Sequence, residues 1–162
     1  MNLEKDIEQF SSDFKISMNF NYSLKKHNWF NIGGKTKVFF KAETLNDLCK
    51  FMKLFGKKIN FFSLGAGSNI LVKDTGFDGV IIKLGKSFSN ISLLNDETII
   101  AGSAALDHQV SNFAKDNGIG GLEFLSCIPG SVGGGIRMNS GCYGTEFKDI
   151  LLSVQAIDKN GN

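Results

Sequence analysis

The sequence predicts a mixed chain of α-helices and β-strands built around two glycine-rich loops. Apolar residues recur at helical spacing in three stretches, and short runs of β-branched and aromatic residues predict five strands. Nine of the 19 glycines fall within residues 118–144. With 42% hydrophobic residues and a single proline in 162 residues, the composition excludes intrinsic disorder and collagen-like structure and allows one domain or two small ones.

The first half of the chain contains two predicted helices and three predicted strands. An amphipathic helix is expected over residues 2–16, with an apolar face of Leu3, Ile7, Phe10 and Phe14. Strands are expected at 37–41, 59–64 and 79–84. Thr44 is expected to cap a second helix, with Asp47 as its partner and Gly56 at its end. The inward face of that helix is predicted to be Leu45, Leu48, Cys49, Met52 and Phe55.

The second half contains a strand predicted at 97–101, a helix at 105–117 and a last strand at 150–157. The helix is expected to end at Gly118, with Leu106, Val110, Phe113 and Ala114 facing inward. Asn160-Gly161 after the last strand is typical of a hairpin turn, which needs a returning strand. We therefore expect the N-terminal portion of a longer protein, with a frayed polar tail as the alternative.

Charge and cysteine content exclude several classes of function. The net charge is +2 and Arg137 is the only arginine, which excludes recognition of nucleic acid by an arginine cluster. Cys49, Cys127 and Cys142 form no CxxC pair and only two histidines are present, so reduced thiols and no metal site are expected. The sequence shows neither the apolar segment of a signal peptide nor the ~20 apolar residues of a membrane span, so a cytoplasmic protein is expected.

The first glycine-rich loop, Leu64-Gly65-Ala66-Gly67-Ser68-Asn69-Ile70, follows the strand predicted at 59–64. Glycines allow successive backbone N–H groups to turn toward one point and form a nest for an anion, and Ser68 and Asn69 add side-chain donors. A diphosphate would suit such a nest, and an ordinary tight turn is the alternative. Ile70 stands where a Rossmann motif requires its third glycine, so that motif is excluded.

The second glycine-rich loop reads Ile128-Pro129-Gly130-Ser131-Val132-Gly133-Gly134-Gly135 and continues through Asn139-Ser140-Gly141-Cys142-Tyr143-Gly144. So many glycines cost conformational entropy on folding, which is understandable where backbone must approach a flat or charged ligand closely. The interleaved apolar residues argue against a mobile linker. They are Ile128, Val132, Ile136 and Met138.

Three motifs in this order resemble those of the UDP-N-acetylenolpyruvoylglucosamine reductases. Asn28 to Gly34 is similar to the N-terminal T-F-x-I-G-G signature, with Trp29 in place of threonine. Leu64 to Val72 resembles the flavin loop L-G-x-G-S-N-x-L-V. Glu123 to Gly144 resembles the second loop E-x-L-x-x-I-P-G-x-V-G-G-x-x-x-M-N-A-G-A-Y-G, with serine and cysteine in place of two alanines.

The resemblance implies an α+β FAD-binding fold of the vanillyl-alcohol-oxidase and p-cresol-methylhydroxylase type. Two subdomains, at residues 21–75 and 76–162, would hold a non-covalent FAD after a helical extension at residues 1–20, and the substrate domain would be missing from this chain. The family's reaction uses NADPH to reduce the enolpyruvyl ether of UDP-N-acetylglucosamine to UDP-N-acetylmuramate in peptidoglycan precursor synthesis. The implied partner is a UDP-sugar substrate, with no nucleic acid, membrane or obligate protein partner.

Carried over by position, the flavin contacts of the family fall on both loops. The resemblance assigns the FAD diphosphate to Gly65, Ala66, Gly67, Ser68 and Asn69. It assigns the lining of the flavin to Ile128, Pro129, Gly130, Ser131, Val132, Gly133 and Gly134, completed by Asn139, Gly141 and Tyr143. Tyr143 would equally suit a buried core position with its hydroxyl bonded.

The resemblance places no catalytic residue in this chain. The family's transition-state arginine, serine proton donor and glutamate have no counterpart in these 162 residues, and Arg137 is expected to face the surface or a phosphate. A non-catalytic FAD-binding module and another flavin oxidase of the same superfamily are the alternatives. Such oxidases often attach flavin through histidine, and neither His27 nor His108 lies in a glycine-rich loop.

Overall fold

The computed structural model describes residues 3–162, and its first unit is a four-stranded mixed sheet. The strands are β1 (Met18–Ser23), β2 (Lys35–Ala42), β3 (Phe61–Leu64) and β4 (Phe77–Leu84). Their spatial order is β1-β2-β4-β3. β1 runs antiparallel to β2, whereas β4 runs parallel to both β2 and β3.

One face of this sheet is covered by two helices, α1 (Leu3–Asp13) and α2 (Leu45–Phe55). Side chains alternate along a strand, so Val80 and Ile82 of β4 point to the same face and pack with the helices. The core on this first face consists of Ile7, Phe10, Ile16, Val38, Phe40, Ala42, Leu48, Phe51, Met52, Phe55, Val80 and Ile82.

The other side of the sheet, which we call the second face, carries a smaller core. Phe39 and Ile81 pack there with Leu24 and Leu64. Because the period of a strand is two, Lys83 of β4 belongs to this face as well. Leu64, the last residue of β3, packs on this second face, and the first glycine-rich loop continues directly from it.

The predicted helices of the first unit are present, with differences in extent and in the buried stripes. α1 ends at Asp13, before the predicted end at residue 16, and Phe14 of its predicted apolar face is 46% exposed. The hydroxyl of Thr44 accepts a hydrogen bond from the Asp47 N–H at 3.1 Å and caps α2 as predicted. Leu45 is 58% exposed, whereas Phe51, which was not predicted to face inward, is fully buried. Phe51 lies three residues after Leu48, and so falls on the same stripe of the helix. Residue 2 of the first predicted helix lies outside the described range.

The second unit combines two short hairpins with three helices. Its elements are β5 (Ile91–Asn95), β6 (Thr98–Ala101), α3 (Asp107–Asp116), α4 (Val132–Met138), β7 (Gly141–Cys142), β8 (Thr145–Glu146) and α5 (Phe147–Ile150). The strand predicted at 97–101 and the helix predicted at 105–117 are confirmed. The core of this unit consists of Ala105, Val110, Phe124, Leu125, Val132 and Phe147.

The strand predicted at 150–157 is wrong. α5 ends at Ile150, and the residues that follow pair with no strand among residues 3–162. Apolar composition alone does not make a strand, because the backbone also needs a neighbouring ladder of hydrogen bonds. Leu152 is accordingly 80% exposed, and only Ile157 in this segment packs against the core of the first face.

The predicted subdomain boundary between residues 75 and 76 separates β4 from the sheet to which it belongs. β4 begins at Phe77 and pairs with both β2 and β3. The predicted extension at residues 1–20 likewise contributes Ile7 and Phe10 to the core of the first face. We propose instead that the first unit extends from α1 through Leu84. A helix able to cross a membrane, by length and apolar composition together, is absent from residues 3–162.

Candidate functional site

The first glycine-rich loop leaves the end of β3 and is held by the loop that precedes β2. The Trp29 N–H donates to the Gly67 carbonyl at 3.2 Å. Gly67 has a φ of 82°, and a Cβ at this position would collide with the His27 carbonyl oxygen. Both the backbone conformation and the close approach therefore require glycine. The N-terminal motif around Trp29 thus supports the flavin-loop motif directly.

That supporting loop is itself fixed by a buried amide. Asn28 is 5% exposed, and its Nδ2 donates to the carbonyls of Leu24 at 3.0 Å and Ile32 at 2.9 Å. The Gly34 N–H donates to the Lys73 carbonyl at 2.9 Å, which ties the motif to the chain beyond the first glycine-rich loop. The loop that carries Gly65 to Asn69 is therefore anchored on both sides.

The second glycine-rich segment is anchored on the connection between β6 and α3. Backbone N–H groups of Val132 and Gly133 donate to the carbonyls of Ala105 and Ser103, both at 2.9 Å. The prediction of a loop throughout this segment is wrong, because residues 132–138 form α4. Glycine disfavours helices by about 1 kcal/mol relative to alanine, so tertiary packing must stabilise this one.

The two glycine-rich segments meet in space. A Cβ built on Gly65 would lie 2.5 Å from the Ser131 Oγ and 4.0 Å from the Gly134 Cα. Backbone from residues far apart in sequence therefore forms one surface between the sheet and the second unit. This is the convergence that the sequence motifs predict, and it is the geometric requirement for both segments to contact one ligand.

The glycines of the second segment differ in whether the surrounding structure leaves room for a side chain. A Cβ on Gly130 would lie 2.5 Å from the Asp107 Oδ2, and one on Gly133 would lie 3.0 Å from the Ser103 Cβ. A Cβ on Gly135 would enter the ring of Phe147. Internal packing thus explains these three glycines. A Cβ on Gly134 would meet only the Ser131 Oγ, at an ordinary 3.5 Å. Among the glycines of α4, Gly134 is the one that internal packing does not require.

The hydroxyl of Ser131 is a buried donor next to this surface. Ser131 is 4% exposed, and its Oγ has no hydrogen-bond partner among the described residues. Ser131 occupies the N-cap position directly before α4, but its side chain makes no capping hydrogen bond. Buried polar atoms without partners are costly, and a phosphate or flavin oxygen would satisfy this one. The residues present therefore fit a dinucleotide such as FAD.

The last three predicted site residues lie at the end of α4 and in the hairpin of β7 and β8 that follows it. The side chain of Asn139 builds that hairpin: its Nδ2 donates to Glu146 at 3.0 Å and its Oδ1 accepts from the Lys148 N–H at 2.9 Å. A Cβ on Gly141 would lie 2.7 Å from the Thr145 carbonyl oxygen. Local structure alone thus accounts for Asn139 and Gly141, and their contact with a cofactor stays a prediction.

Tyr143 occupies the turn of this hairpin and is 88% exposed. The alternative of a buried core tyrosine is therefore wrong. Its φ of 53° lies in the left-handed region, which a bulky residue rarely adopts, and such backbone often marks a functional position. Arg137 is also exposed, as expected for a surface or phosphate-facing role.

Two charged residues near the glycine-rich segments were missed by sequence reasoning. Asp107 is fully buried, neither carboxylate oxygen has a partner among the described residues, and burial raises its pKa to about 6. Lys83 donates from Nζ to the Gly65 carbonyl at 2.6 Å. Nothing in the sequence marks Asp107, since an acidic residue in the first turn of a helix is ordinarily solvated. Lys83 could be noticed as the one charge within the apolar strand predicted at 79–84.

Comparisons with known proteins give a consistent result. A family model described as "FAD binding domain" matches residues 36–162. The chain is 60% identical over 157 residues to the UDP-N-acetylenolpyruvoylglucosamine reductase of Pelagibacter ubique (strain HTCC1062), which covers 97% of this chain and 52% of that protein. The enzyme of that name from Rickettsia canadensis (strain McKiel) is 46% identical over 141 residues, or 87% of this chain and 48% of the relative.

A solved structure is similar as well. The crystal structure of UDP-N-acetylenolpyruvylglucosamine reductase from Thermus caldophilus aligns with a TM-score of 0.66 at 28% identity, over 83% of this chain and 46% of that one. The chain thus spans about half the length of the curated relatives it matches. The predicted resemblance and the α+β FAD-binding fold are confirmed by these matches.

Proposed function

The chain belongs to the family of FAD binding domains, and from this we propose that it forms the FAD-binding part of a UDP-N-acetylenolpyruvoylglucosamine reductase. The proposed reaction is the NADPH-dependent reduction of UDP-N-acetylglucosamine enolpyruvate to UDP-N-acetylmuramate, in peptidoglycan precursor synthesis. When bound, the flavin supplies the hydride chemistry, and the protein supplies binding and orientation. A cytoplasmic location and a UDP-sugar substrate, without nucleic acid, membrane or obligate protein partners, are part of this proposal.

The observation that carries the proposal is the meeting of the two glycine-rich segments. Gly65 comes within contact distance of Ser131, so the donors of both segments serve one surface. We assign the diphosphate to the backbone from Gly65 to Gly67 with the side chains of Ser68 and Asn69, as the family resemblance implies. Ser131 would donate its free hydroxyl, and Gly134 would let the ligand approach the backbone.

The remaining predicted residues would complete the flavin surface. Ile128 and Pro129 would supply apolar contacts around the glycines, and Tyr143 supplies an exposed aromatic ring at the hairpin turn. Val132 is buried in the core of the second unit and would support this surface from behind. An apolar surface of this kind excludes water from a flat ring system, whereas the first loop provides donors for its charged end. The catalytic acid is expected outside residues 1–162, as the resemblance implies.

A binding experiment tests the cofactor and a turnover experiment tests the activity. The 162-residue chain should quench the fluorescence of added FAD in a saturable titration. It should show no NADPH oxidation that depends on the enolpyruvyl sugar nucleotide, because general acid catalysis needs a positioned donor. A chimera of this chain with the half of a curated relative that lies outside the match should oxidise NADPH with that substrate. Failure of the 162-residue chain to bind FAD would overturn the proposal.

A further inference from the structure

Lys83 lies where the first glycine-rich loop leaves the sheet. In the register of the parallel pair, Lys83 of β4 stands opposite Leu64 of β3, the residue before Gly65. The side chain is half-buried on the second face, and its Nζ donates to the Gly65 carbonyl at 2.6 Å. The contact is therefore built by strand pairing and does not depend on the conformation of an exposed loop.

The charge of Lys83 is not balanced by a nearby carboxylate. Ion pairs within residues 3–162 join Lys37 to Asp78, Lys41 to Glu43 and Lys148 to Glu146. Another cation, Lys41, stands opposite Lys83 on β2. Burial lowers the pKa of Lys83, and the charge of Lys41 lowers it further. An anion bound nearby would raise the pKa of Lys83 and so oppose both effects, because a negative charge favours the protonated amine.

The bond to Gly65 also fixes the direction of one backbone donor. The peptide unit is planar and trans, so its carbonyl and its N–H point to opposite sides. Since the Gly65 carbonyl points to the Lys83 ammonium group, the N–H of Ala66 points away from that group. Ala66 is one of the residues to which the family resemblance assigns the diphosphate.

We propose that Lys83 is a positioning residue of the FAD diphosphate site. Its ammonium group holds the Gly65 carbonyl, orients the Ala66 N–H for the ligand and adds a positive charge to the site. A hydrogen bond from a charged donor is stronger than a neutral one, which suits a group that must hold a glycine-rich backbone in one orientation. This inference rests on the proposed function and adds to it a residue outside the glycine motifs.

The test compares Lys83→Met and Lys83→Arg with the control Lys86→Met in the 162-residue chain. Lys86 is exposed and makes no ion pair among the described residues. Lys83→Met should weaken FAD binding at least about tenfold. Lys83→Arg should stay within about threefold of the unsubstituted chain, since it keeps the charge and the donor. Lys86→Met should bind FAD unchanged.

Phosphorus NMR of bound FAD separates positioning from a general structural role. At saturating FAD, the two phosphate resonances should shift in Lys83→Met and remain in place in Lys86→Met. A chain with Lys83→Met that binds FAD as tightly as the unsubstituted chain, with the same phosphorus spectrum, overturns this inference and leaves the proposed function intact. An unsubstituted chain that binds no FAD overturns the proposed function itself. If Lys83→Met does not fold, Lys83→Gln, which keeps a donor without charge, is judged by the same criteria.

Discussion

Contact between the two glycine-rich segments can be measured without any ligand, by a double-mutant cycle at Gly65 and Ser131. Gly65 does not have a positive φ, so alanine there costs nothing in backbone conformation. Its Cβ would lie 2.5 Å from the Ser131 Oγ, well inside ordinary van der Waals contact. Overpacking of this kind costs about 1–3 kcal/mol, so Gly65→Ala should lower the free energy of unfolding by that amount.

Ser131→Gly removes the atom that the new methyl group would meet. The Ser131 side chain makes no capping bond, and a glycine in place of a capping serine costs only a few tenths of a kcal/mol. In the Ser131→Gly background, Gly65→Ala should therefore cost almost nothing, and the coupling energy should be about 1–2 kcal/mol. Urea denaturation followed by far-UV circular dichroism measures all four chains.

A control pair checks that the coupling is local. Ser153 is exposed and lies outside both segments, so Ser153→Gly should be additive with Gly65→Ala. If Gly65→Ala and Ser131→Gly are additive within about 0.5 kcal/mol, the segments do not touch in solution. The shared cofactor surface would then lose its geometric basis.

Three further substitutions test the remaining charges and glycines. Gly134→Ala should raise the free energy of unfolding by up to about 1 kcal/mol, because alanine favours the helix and its Cβ has room, yet weaken FAD binding in a fluorescence titration. A gain in both stability and affinity would refute a ligand-facing Gly134. Gly135→Ala should instead lower the free energy of unfolding by about 1–3 kcal/mol, since its Cβ would enter the Phe147 ring; an unchanged denaturation midpoint would contradict that packing. Burial raises the pKa of Asp107 from its ordinary 3.8 to about 6, so its contribution to stability is complete below pH 4 and is lost as the pH rises through 6. Relative to Asp107→Asn, the unsubstituted chain should lose about 2.5 kcal/mol between pH 4 and pH 8, and parallel pH profiles would show that the carboxyl is solvated.

The sequence was sufficient to predict which two segments meet in space, because glycine patterns report backbone requirements that are local. That these segments bind the cofactor stays a prediction. The nest at Gly65 to Asn69 needs donors and small residues in consecutive positions, and that requirement is visible in any single chain. The helix at 132–138 could not be predicted in the same way. Its glycines have low helix propensity, so a local pattern argues against a helix. Glycine is needed at 133 and 135 because Ser103 and Phe147 pack so closely there that a larger side chain would not fit.

Strand pairing accounts for the other features that the sequence did not predict. The segment at 150–157 has the composition of a strand but lacks a partner within the described residues, so Leu151, Leu152 and Val154 stay exposed. The sequence places Lys83 within an apolar strand but does not show what it contacts, because that depends on the order β2-β4-β3. Only that order places it beside Leu64 and within reach of the Gly65 carbonyl.

Residues of β4 therefore serve different purposes on the two faces of the central sheet. Val80 and Ile82 need only close-packed apolar neighbours, which α1 and α2 supply on the first face. Lys83 comes one residue after Ile82 but faces the glycine-rich segments, where an apolar side chain could fill the space without supplying a charge. Because the period of a strand is two, β4 can stabilise the fold on one face and orient a binding loop on the other. Substitutions on the first face should act on the free energy of unfolding, whereas substitution of Lys83 should act on affinity for the diphosphate.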